Sequence, residues 1–161
     1  PEVKAAVAAG LGVIGKNRLL INKDYGSWFF ISEIVTTLDL PAAEIGNTDC
    51  INCGKCIASC PTHALTEDGF KKDLCLSDIT QRKGELTPEQ EKLIKDTGCA
   101  WGCDICQTVC PMNKKVKIDP SKIFLDGIET TARTDNISDR AYAWRGEKVI
   151  KRNLDILGGK I

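Results

Sequence analysis

The spacing of the cysteines is the feature that most constrains this chain. Four of them lie in Cys50-Ile-Asn-Cys53-Gly-Lys-Cys56-Ile-Ala-Ser-Cys60-Pro61, and three lie in Cys103-Asp-Ile-Cys106-Gln-Thr-Val-Cys110-Pro111. The run C-x2-C-x2-C-x3-C-P is the bacterial spacing for [4Fe–4S] ligation, in which the fourth cysteine ligates the other of two clusters. Three thiolates on one tight loop can reach three iron corners, and the chain then turns into a helix that directs the fourth sulfur to the neighbouring cluster. The sequence therefore predicts two cubane clusters and a role in electron transfer.

Disulfide bonds and structural zinc are the competing uses of so many cysteines. A disulfide framework needs an oxidising compartment, and the sequence shows no signal-peptide pattern and no apolar run of transmembrane length. Structural zinc uses two C-x2-C pairs with a longer spacer, or it adds histidines. Here the only histidine is His63, and a third cysteine follows two residues after the first pair. Iron–sulfur ligation is the favoured interpretation, with zinc as the alternative.

Two cubanes need eight ligands, and the second cysteine group supplies only three. A symmetric repeat would place a cysteine at position 100, which is alanine, so the remaining candidates are Cys75 and Cys99. Spacing alone leaves these two open. Residues 103, 106 and 110 fall at i, i+3 and i+7, so a helix would present all three on one face. The predicted ligands are Cys50, Cys53, Cys56 and Cys110 for the first cluster, and Cys60, Cys103, Cys106 and either Cys75 or Cys99 for the second.

The chain has an ordinary soluble composition, with one locally basic stretch. It has 161 residues, of which 42% are hydrophobic and 27% charged, and its formal net charge is zero. A neutral chain is not held to nucleic acid by bulk electrostatics. From Arg140 to Arg152, however, five positive side chains stand against one negative. The candidate RNA-binding residues, which would use phosphate contacts and base stacking, are Trp144, Arg145, Lys148, Lys151 and Arg152. A solvated helix face with a buried tryptophan is the alternative.

The remaining pattern predicts short helices and one hairpin. We expect helices at residues 2–9, after Cys53, near Cys75, at 88–95, through the second cysteine group, and within 139–157. Residues 19–22 and 27–37 are rich in β-branched and aromatic residues, so they predict two strands joined by a tight turn. Trp28, Phe29 and Phe30 are expected in the core. Residues 39–49 predict a polar connection.

Several motifs together resemble one enzyme family. They are Ala9-Gly10-Leu11-Gly12-x-Ile14-Gly15-Lys16-Asn17, Tyr25-Gly26-Ser27-Trp28-Phe29-Phe30, the first cysteine group, Cys75-Leu-Ser77-x-Ile-Thr80, Lys83-Gly84, Gly102-Cys103-Asp104-Ile-Cys106-Gln107 and Arg140-Ala-x-Ala-Trp144-Arg145-Gly146. In this order they are similar to the epoxyqueuosine reductases, over nearly the whole chain. Members of that family are cytoplasmic, cobalamin-dependent enzymes with two [4Fe–4S] clusters that reduce the epoxide of epoxyqueuosine in tRNA to queuosine. The family is similar in core architecture to reductive dehalogenases.

The resemblance implies a fold and a domain division. The implied fold class is α+β: an N-terminal helix and β-hairpin remnant of a cobalamin-binding domain, then a bacterial-ferredoxin-like two-cluster domain, then C-terminal helices. The implied domains are 1–45, the C-terminal part of a cobalamin-binding α/β domain, 46–118, the double [4Fe–4S] domain, and 119–161, a C-terminal helical segment. The chain is expected to be a fragment that lacks the N-terminal region and is inactive alone.

The resemblance also implies the site residues. Cys75 matches the isolated fourth ligand of the second cluster, whereas Cys99 stands where the family usually has another residue. The residues that match the cobalamin side are Lys16, Asn17, Gly26, Ser27, Ser77 and Asp104. The family's proton-donating aspartate lies upstream of Pro1, so no catalytic residue is assigned here. Asp78 departs from the family pattern, which usually has tyrosine at that position.

The resulting functional prediction is an iron–sulfur oxidoreductase that passes electrons through two [4Fe–4S] clusters to cobalamin. The expected partners are a tRNA substrate and a reduced ferredoxin or flavodoxin-type electron donor. We expect a cytoplasmic monomer with no membrane association. The alternative is a non-enzymatic, ferredoxin-like electron-transfer module that serves another reductase.

Overall fold

The computed structural model describes residues 2–44, 50–117, 129 and 131–158. Its α-helices are α1 (Glu2–Ala8), α2 (Lys55–Ala58), α3 (Leu76–Gln81), α4 (Pro88–Thr97), α5 (Ile105–Thr108) and α6 (Glu147–Ile156). Its strands are β1 (Val13–Ile14), β2 (Leu20–Ile21), β3 (Leu65–Thr66) and β4 (Gly69–Phe70), and 3₁₀ turns cover Lys72–Leu74, Pro111–Asn113 and Ala143–Arg145. In the part of the chain that is described, no helix combines the length and the apolarity that a membrane crossing requires.

The chain forms two compact units that alternate along the sequence. Unit 1 comprises Pro1–Ser59, Leu65–Gly69 and Ile105–Asp119, and unit 2 comprises Cys60–Ala64, Phe70–Asp104 and Pro120–Ile161. The mixture of short helices and small sheets agrees with the α+β class. The predicted domain boundaries, at 45–46 and 118–119, lie outside the described residues, as does the end of the predicted connection 39–49. The three-domain division therefore stays a prediction.

In unit 1, the N-terminal helix leads into a small antiparallel sheet. Helix α1 is rich in alanine, the best helix former, and the chain leaves it at Gly10, whose φ of 73° is left-handed. Strand β1 pairs with β2, with Val13 opposite Ile21. Gly12 is required by this close approach, because a Cβ there would lie 2.1 Å from the carbonyl oxygen of Ile21. The predicted helix at 2–9 is confirmed to within one residue.

The predicted hairpin is wrong in its second strand. Leu20 and Ile21 do form a strand, but its partner is β1, and residues 27–37 belong to no strand. The expected core position of Trp28 and Phe30 is also wrong, since Trp28 is 45% and Phe30 is 97% exposed, and Phe29 is only half-buried. Apolar and β-branched residues favour a strand only when a neighbouring strand and a covering layer are present. Within the described residues, segment 27–37 has neither.

Unit 2 contains an apolar core. Leu76 and Ile79 of α3 and Ile94 of α4 are almost completely buried and pack together. Helix α4 begins with a capping box: the backbone N–H of Gln90 donates to the Thr87 hydroxyl, and the N–H of Thr87 donates to the Gln90 side chain. It ends before Gly98, whose φ is 64°. The helix predicted at 88–95 is therefore confirmed.

The helix predicted through the second cysteine group is wrong in its extent. Only Ile105–Thr108 is helical, so Cys103 precedes the helix and Cys110 follows it. Gly102 has a left-handed φ of 68°, and Cys110 has an extended ψ of 122°. Proline disfavours a helical conformation of the residue before it, which accounts for Cys110 because Pro111 follows. The three cysteines therefore do not share one helix face.

We predict that Gly26→Ala destabilises the protein strongly. The φ of Gly26 is 59°, and an added Cβ would lie 2.0 Å from Asn113 Oδ1 and 2.9 Å from the carbonyl oxygen of Met112. Backbone strain and the clash together should lower the free energy of unfolding by about 3 kcal/mol. Chemical denaturation monitored by circular dichroism measures this change.

Gly98→Ala is the matched control for this substitution. Gly98 also has a left-handed φ, of 64°, but nothing lies within 4 Å of the added Cβ. Gly98→Ala should therefore lower the free energy of unfolding only by the cost of a left-handed backbone, about 1 kcal/mol. Equal losses in the two variants would show that the contact with Asn113 is unimportant.

Candidate metal centres

One cavity in unit 1 is lined by four cysteines. They are Cys50, Cys53, Cys56 and Cys110. Three come from the loop before α2 and from α2 itself, and the fourth lies just after α5. These are the four residues that the sequence predicts as ligands of the first cluster. We call them the first ligand set.

The loop of the first ligand set is shaped by two left-handed residues. Asn52 has a φ of 53° and Gly54 a φ of 70°, so the backbone turns sharply between the cysteines. The carbonyl of Gly54 then accepts hydrogen bonds from the N–H groups of Ile57 and Ala58, each 3.0 Å long, which starts α2. This turn places Cys50 and Cys53 before the helix and Cys56 within it.

The thiols of the first ligand set interact with one another. Burial raises the pKa of the Cys56 thiol, and the neighbouring Cys50 and Cys110 raise it further. Several thiolates in one cavity repel each other unless cations neutralise them. Iron in a [4Fe–4S] cluster provides those cations and takes one cysteine per iron. The donor set therefore fits a [4Fe–4S] cluster.

Two of the predicted cobalamin-side residues line the same cavity. They are Lys16 and Asn17. Lys16 Nζ lies 2.7 Å from Glu67 Oε2, and this hydrogen bond raises the pKa of Lys16, with a smaller contribution from Cys50 and Cys56. Asn17 is 6% exposed, and its Oδ1 accepts a 3.2 Å hydrogen bond from the N–H of Leu19. Its Nδ2 is buried and has no hydrogen-bond partner within the described residues.

The other two cobalamin-side residues of unit 1, Gly26 and Ser27, are held by Asn113. Asn113 Oδ1 accepts from the N–H of Ser27 at 2.7 Å, and Asn113 Nδ2 donates to the Ser27 hydroxyl at 2.9 Å. The Ser27 hydroxyl in turn donates to Gln107 Oε1 at 2.9 Å. Gly26 contributes the close approach already described. Sequence reasoning missed Asn113, and no signal in its local sequence would have identified it.

The predicted ligands of the second cluster are distributed over both units. Cys60, Cys75 and Cys103 belong to unit 2, and Cys106 belongs to α5 in unit 1. Cys75 directly precedes α3. Ser77 lies in α3 and its hydroxyl accepts a 3.0 Å hydrogen bond from Gln81 Nε2, whereas Asp104 is exposed just before α5. We call Cys60, Cys75, Cys103 and Cys106 the second ligand set; its convergence on one cluster stays a prediction.

Cys99 lies in unit 2 beside the apolar core, which the predicted ligand Cys103 also contacts. Its Sγ lies 2.8 Å from the carbonyl oxygen of Gly102, to which it donates, and it packs against the apolar core of unit 2. Burial raises the pKa of the Cys99 thiol, and nearby Cys103 and Asp104 raise it further. A half-buried thiol that donates to a carbonyl can serve as a small apolar residue with a weak donor. Burial raises the pKa of the predicted ligand Cys56 in the same way, so the assignment of Cys99 as a non-ligand stays a prediction.

A buried hydrogen-bond network connects α6 to both cysteine segments of unit 2. Asn153 is fully buried, and its Nδ2 donates to the carbonyls of Thr80 and Ala100, at 2.7 and 2.8 Å. The Thr80 hydroxyl accepts from the N–H of Gly102 at 3.0 Å. Arg152 donates to Asn153 Oδ1 and to the carbonyls of Arg82 and Gly84. The network fixes the segment after Cys75 and the segment before Cys103.

The predicted RNA-binding residues surround the start of α6. Trp144 is 62% exposed, and the Arg145 guanidinium lies 3.9 Å from the centre of its ring. Lys148 is exposed, and Lys151 Nζ forms a 2.9 Å ion pair with Asp155 Oδ2. Lys83, Arg145, Lys148 and Arg152 line a common groove. Burial lowers the pKa of Arg152, although its ordinary value is so high that the side chain remains charged.

The cysteine sites differ from a site for a single ion. In the described part of the chain, no three His, Cys, Asp or Glu side chains are arranged to bind one metal ion together. A cubane spreads its four thiolates over four irons, so its ligands do not need to meet at one point.

Comparison with known families supports the cluster assignment first. Residues 49–113 match the model of the 4Fe-4S double cluster binding domain. That range contains both cysteine groups, Cys75 and Cys99. The chain therefore contains a double [4Fe–4S] cluster domain, as its cysteine spacing predicts.

The whole chain is then similar to one enzyme family. It is 36% identical to epoxyqueuosine reductase of Lactococcus garvieae over 95% of this chain and 47% of that protein. The solved epoxyqueuosine reductase of Streptococcus thermophilus matches with 33% identity and a TM-score of 0.76, over 97% of this chain and 44% of the other. An epoxyqueuosine reductase solved with a tRNA-Tyr epoxyqueuosine-modified stem loop matches with 27% identity and a TM-score of 0.67, over 98% and 45%.

The chain is thus related to the epoxyqueuosine reductases over nearly its whole length, which confirms the resemblance seen in its motifs. It spans just under half the length of these relatives.

We predict that Cys75→Ser and Cys99→Ser have different effects on iron content. After anaerobic reconstitution, the unmodified protein should hold about eight irons and eight sulfides. Cys75→Ser should reduce the iron to about four, because one cluster loses a ligand, whereas Cys99→Ser should leave it unchanged. Iron and sulfide analysis with electron paramagnetic resonance (EPR) of the reduced protein measures both. Two zinc ions without sulfide would contradict the assignment of clusters. A loss of iron in Cys99→Ser but not in Cys75→Ser would contradict the choice of ligand.

Proposed function

We propose that the full-length protein is a cobalamin-dependent epoxyqueuosine reductase, which reduces the epoxide of epoxyqueuosine in tRNA to queuosine. The observation that carries this proposal is the cavity of four cysteines in a chain that is similar to epoxyqueuosine reductases over 95% of its length. Reduction of an epoxide needs electrons, and a protein with two [4Fe–4S] clusters delivers them one at a time.

The first and second ligand sets hold the two clusters in this proposal. The first set is supported by the cavity that its four cysteines line together. The second set is supported by the network of Thr80, Asn153 and Arg152, which holds the segments that carry Cys75 and Cys103. Hydrogen bonds and exclusion of water around the sulfurs set the reduction potentials.

Six residues form part of the cobalamin site in this proposal: Lys16, Asn17, Gly26, Ser27, Ser77 and Asp104. Bound cobalamin supplies a strongly reducing cobalt centre. Lys16 and Asn17 lie at the cavity of the first ligand set, which supports a short path from cluster to cofactor. The Gly26–Ser27 turn is fixed by Asn113 and Gln107, so it presents a defined backbone edge.

The tRNA substrate is bound in part by the surface around the start of α6. Exposed Trp144 offers a face for base stacking, and Arg145, Lys148 and Lys151 offer charges for phosphates. Arg152 belongs to the same groove, but it already donates to Asn153 and to two carbonyls. In this proposal, Arg152 therefore attracts the tRNA phosphates by its charge more than by donating hydrogen bonds to them.

The remaining features of the proposal follow from the substrate and the chemistry. The protein acts in the cytoplasm, where tRNA is modified, and it works as a monomer. A reduced ferredoxin or flavodoxin-type protein supplies the electrons, because low-potential clusters need a low-potential donor.

We predict that the full-length protein, reconstituted anaerobically, binds cobalamin and converts epoxyqueuosine-containing tRNA to queuosine-containing tRNA. Cobalamin binding is measured by absorbance titration, and conversion is measured by nucleoside analysis after a supply of reduced donor. Cys53→Ser should abolish conversion, because the first cluster is lost, and should leave tRNA binding intact. A protein with both clusters that binds no cobalamin and converts no tRNA would be an electron-transfer module instead.

We predict that Lys148→Ala weakens tRNA binding and lowers its salt dependence. Each lost phosphate contact reduces the slope of log K against log salt by about one. Lys92→Ala is the matched control, since Lys92 is an exposed helix lysine that pairs with Asp96 on α4. Filter binding to a tRNA anticodon stem loop at several salt concentrations measures the slope. Equal slopes for the two variants would remove Lys148 from the RNA surface.

A further inference from the structure

Asn17 has a buried amide that the described part of the chain does not satisfy. Its Oδ1 accepts from the N–H of Leu19, but its Nδ2 has no partner there, and the residue is only 6% exposed. A buried N–H without an acceptor is costly, and such groups are rare in folded proteins. The position therefore implies an acceptor that is present when the protein functions.

The surroundings of Asn17 identify the chemistry of that acceptor. Asn17 lines the cavity of Cys50, Cys53, Cys56 and Cys110. A cysteine-bound [4Fe–4S] cluster presents anionic sulfur atoms, which accept hydrogen bonds from N–H groups. The orientation of Asn17 is also constrained, because its Oδ1 is already bonded to the backbone two residues later.

We propose that Asn17 donates a hydrogen bond from Nδ2 to a sulfur of the first cluster and thereby raises the reduction potential of that cluster. This inference rests on the proposed cluster in the first ligand set, and it gives Asn17 a role besides that of a cobalamin contact. Reduction adds one electron to the cluster core, so a donor to sulfur stabilises the reduced form more than the oxidised form. Loss of the donor lowers the potential.

Two substitutions of Asn17 separate this role from simple packing. Asn17→Asp keeps the acceptor for Leu19 and removes the donor, whereas Asn17→Leu removes both without adding a charge. Asn22→Asp is the matched control: it makes the same change in unit 1, but the Nδ2 of Asn22 already donates to the carbonyl of Leu11, at 2.7 Å. The full-length protein is reconstituted anaerobically, and both clusters are followed by redox titration with EPR detection.

The expected result is a fall in the potential of one cluster in both Asn17 variants, with the other cluster unchanged. The affected signal should be the one that Cys53→Ser removes. Asn22→Asp should leave both potentials unchanged.

Three results would overturn the proposal. Unchanged potentials in both Asn17 variants would exclude the hydrogen bond, and weaker cobalamin binding in the same variants would then assign Nδ2 to the corrin. Equal changes in both clusters, or loss of both, would indicate a general structural role. An unmodified protein without clusters would refute the proposed function itself, and this outcome is distinguishable because it does not depend on Asn17.

Discussion

The meeting of four cysteines at one cavity is the constraint on which unit 1 depends. Helices α2 and α5 have four residues each, and β1 and β2 have two each. Isolated helices shorter than about 12 residues are marginal in water, so these elements need tertiary links. A cluster in the first ligand set would link the loop at Cys50–Cys56 to Cys110 and close a long loop. Binding of iron and folding of this unit are therefore expected to be coupled.

Unit 2 is stabilised by different interactions. It has an apolar core around Leu76, Ile79 and Ile94, and a helix with a complete capping box. Asn153 is buried with both of its donors and its acceptor used. A fully satisfied buried amide specifies one arrangement of the segments that it joins. The segments near Cys75 and Cys103 can therefore be ordered by protein contacts alone.

The sequence predicted the features that depend on local chemistry. The cysteine spacing, the capping box at Thr87 and the glycine after α1 each have a local physical reason, and the structure or the comparisons confirm them. The prediction of a strand at 27–37 was wrong because β-propensity reflects packing against partners. The prediction that one helix carries Cys103, Cys106 and Cys110 was wrong. Spacing alone takes no account of the left-handed Gly102 before the helix or of Pro111, which keeps Cys110 out of it.

Residue type alone also did not show which charged groups already form ion pairs or hydrogen bonds within the protein. Five positive side chains between Arg140 and Arg152 suggested an RNA-binding surface. The structure shows that these side chains differ in whether they already have partners within the protein. Arg152 is committed to Asn153 and two backbone carbonyls, and Lys151 is paired with Asp155. Arg140 is paired with Glu129.

Within the described residues, Arg145, Lys148 and Arg152 therefore form no ion pair. Because Arg152 already donates its hydrogen bonds within the protein, Arg145 and Lys148 remain as the cations available to a ligand. Two such charges contribute little non-specific affinity, which agrees with the zero net charge of the chain. If this surface binds tRNA, stacking on exposed Trp144 must supply a substantial part of the binding energy, since stacking on an aromatic side chain is worth about 1–3 kcal/mol per base. Recognition would then depend on an unpaired base, as in a stem loop, more than on the charge of a duplex.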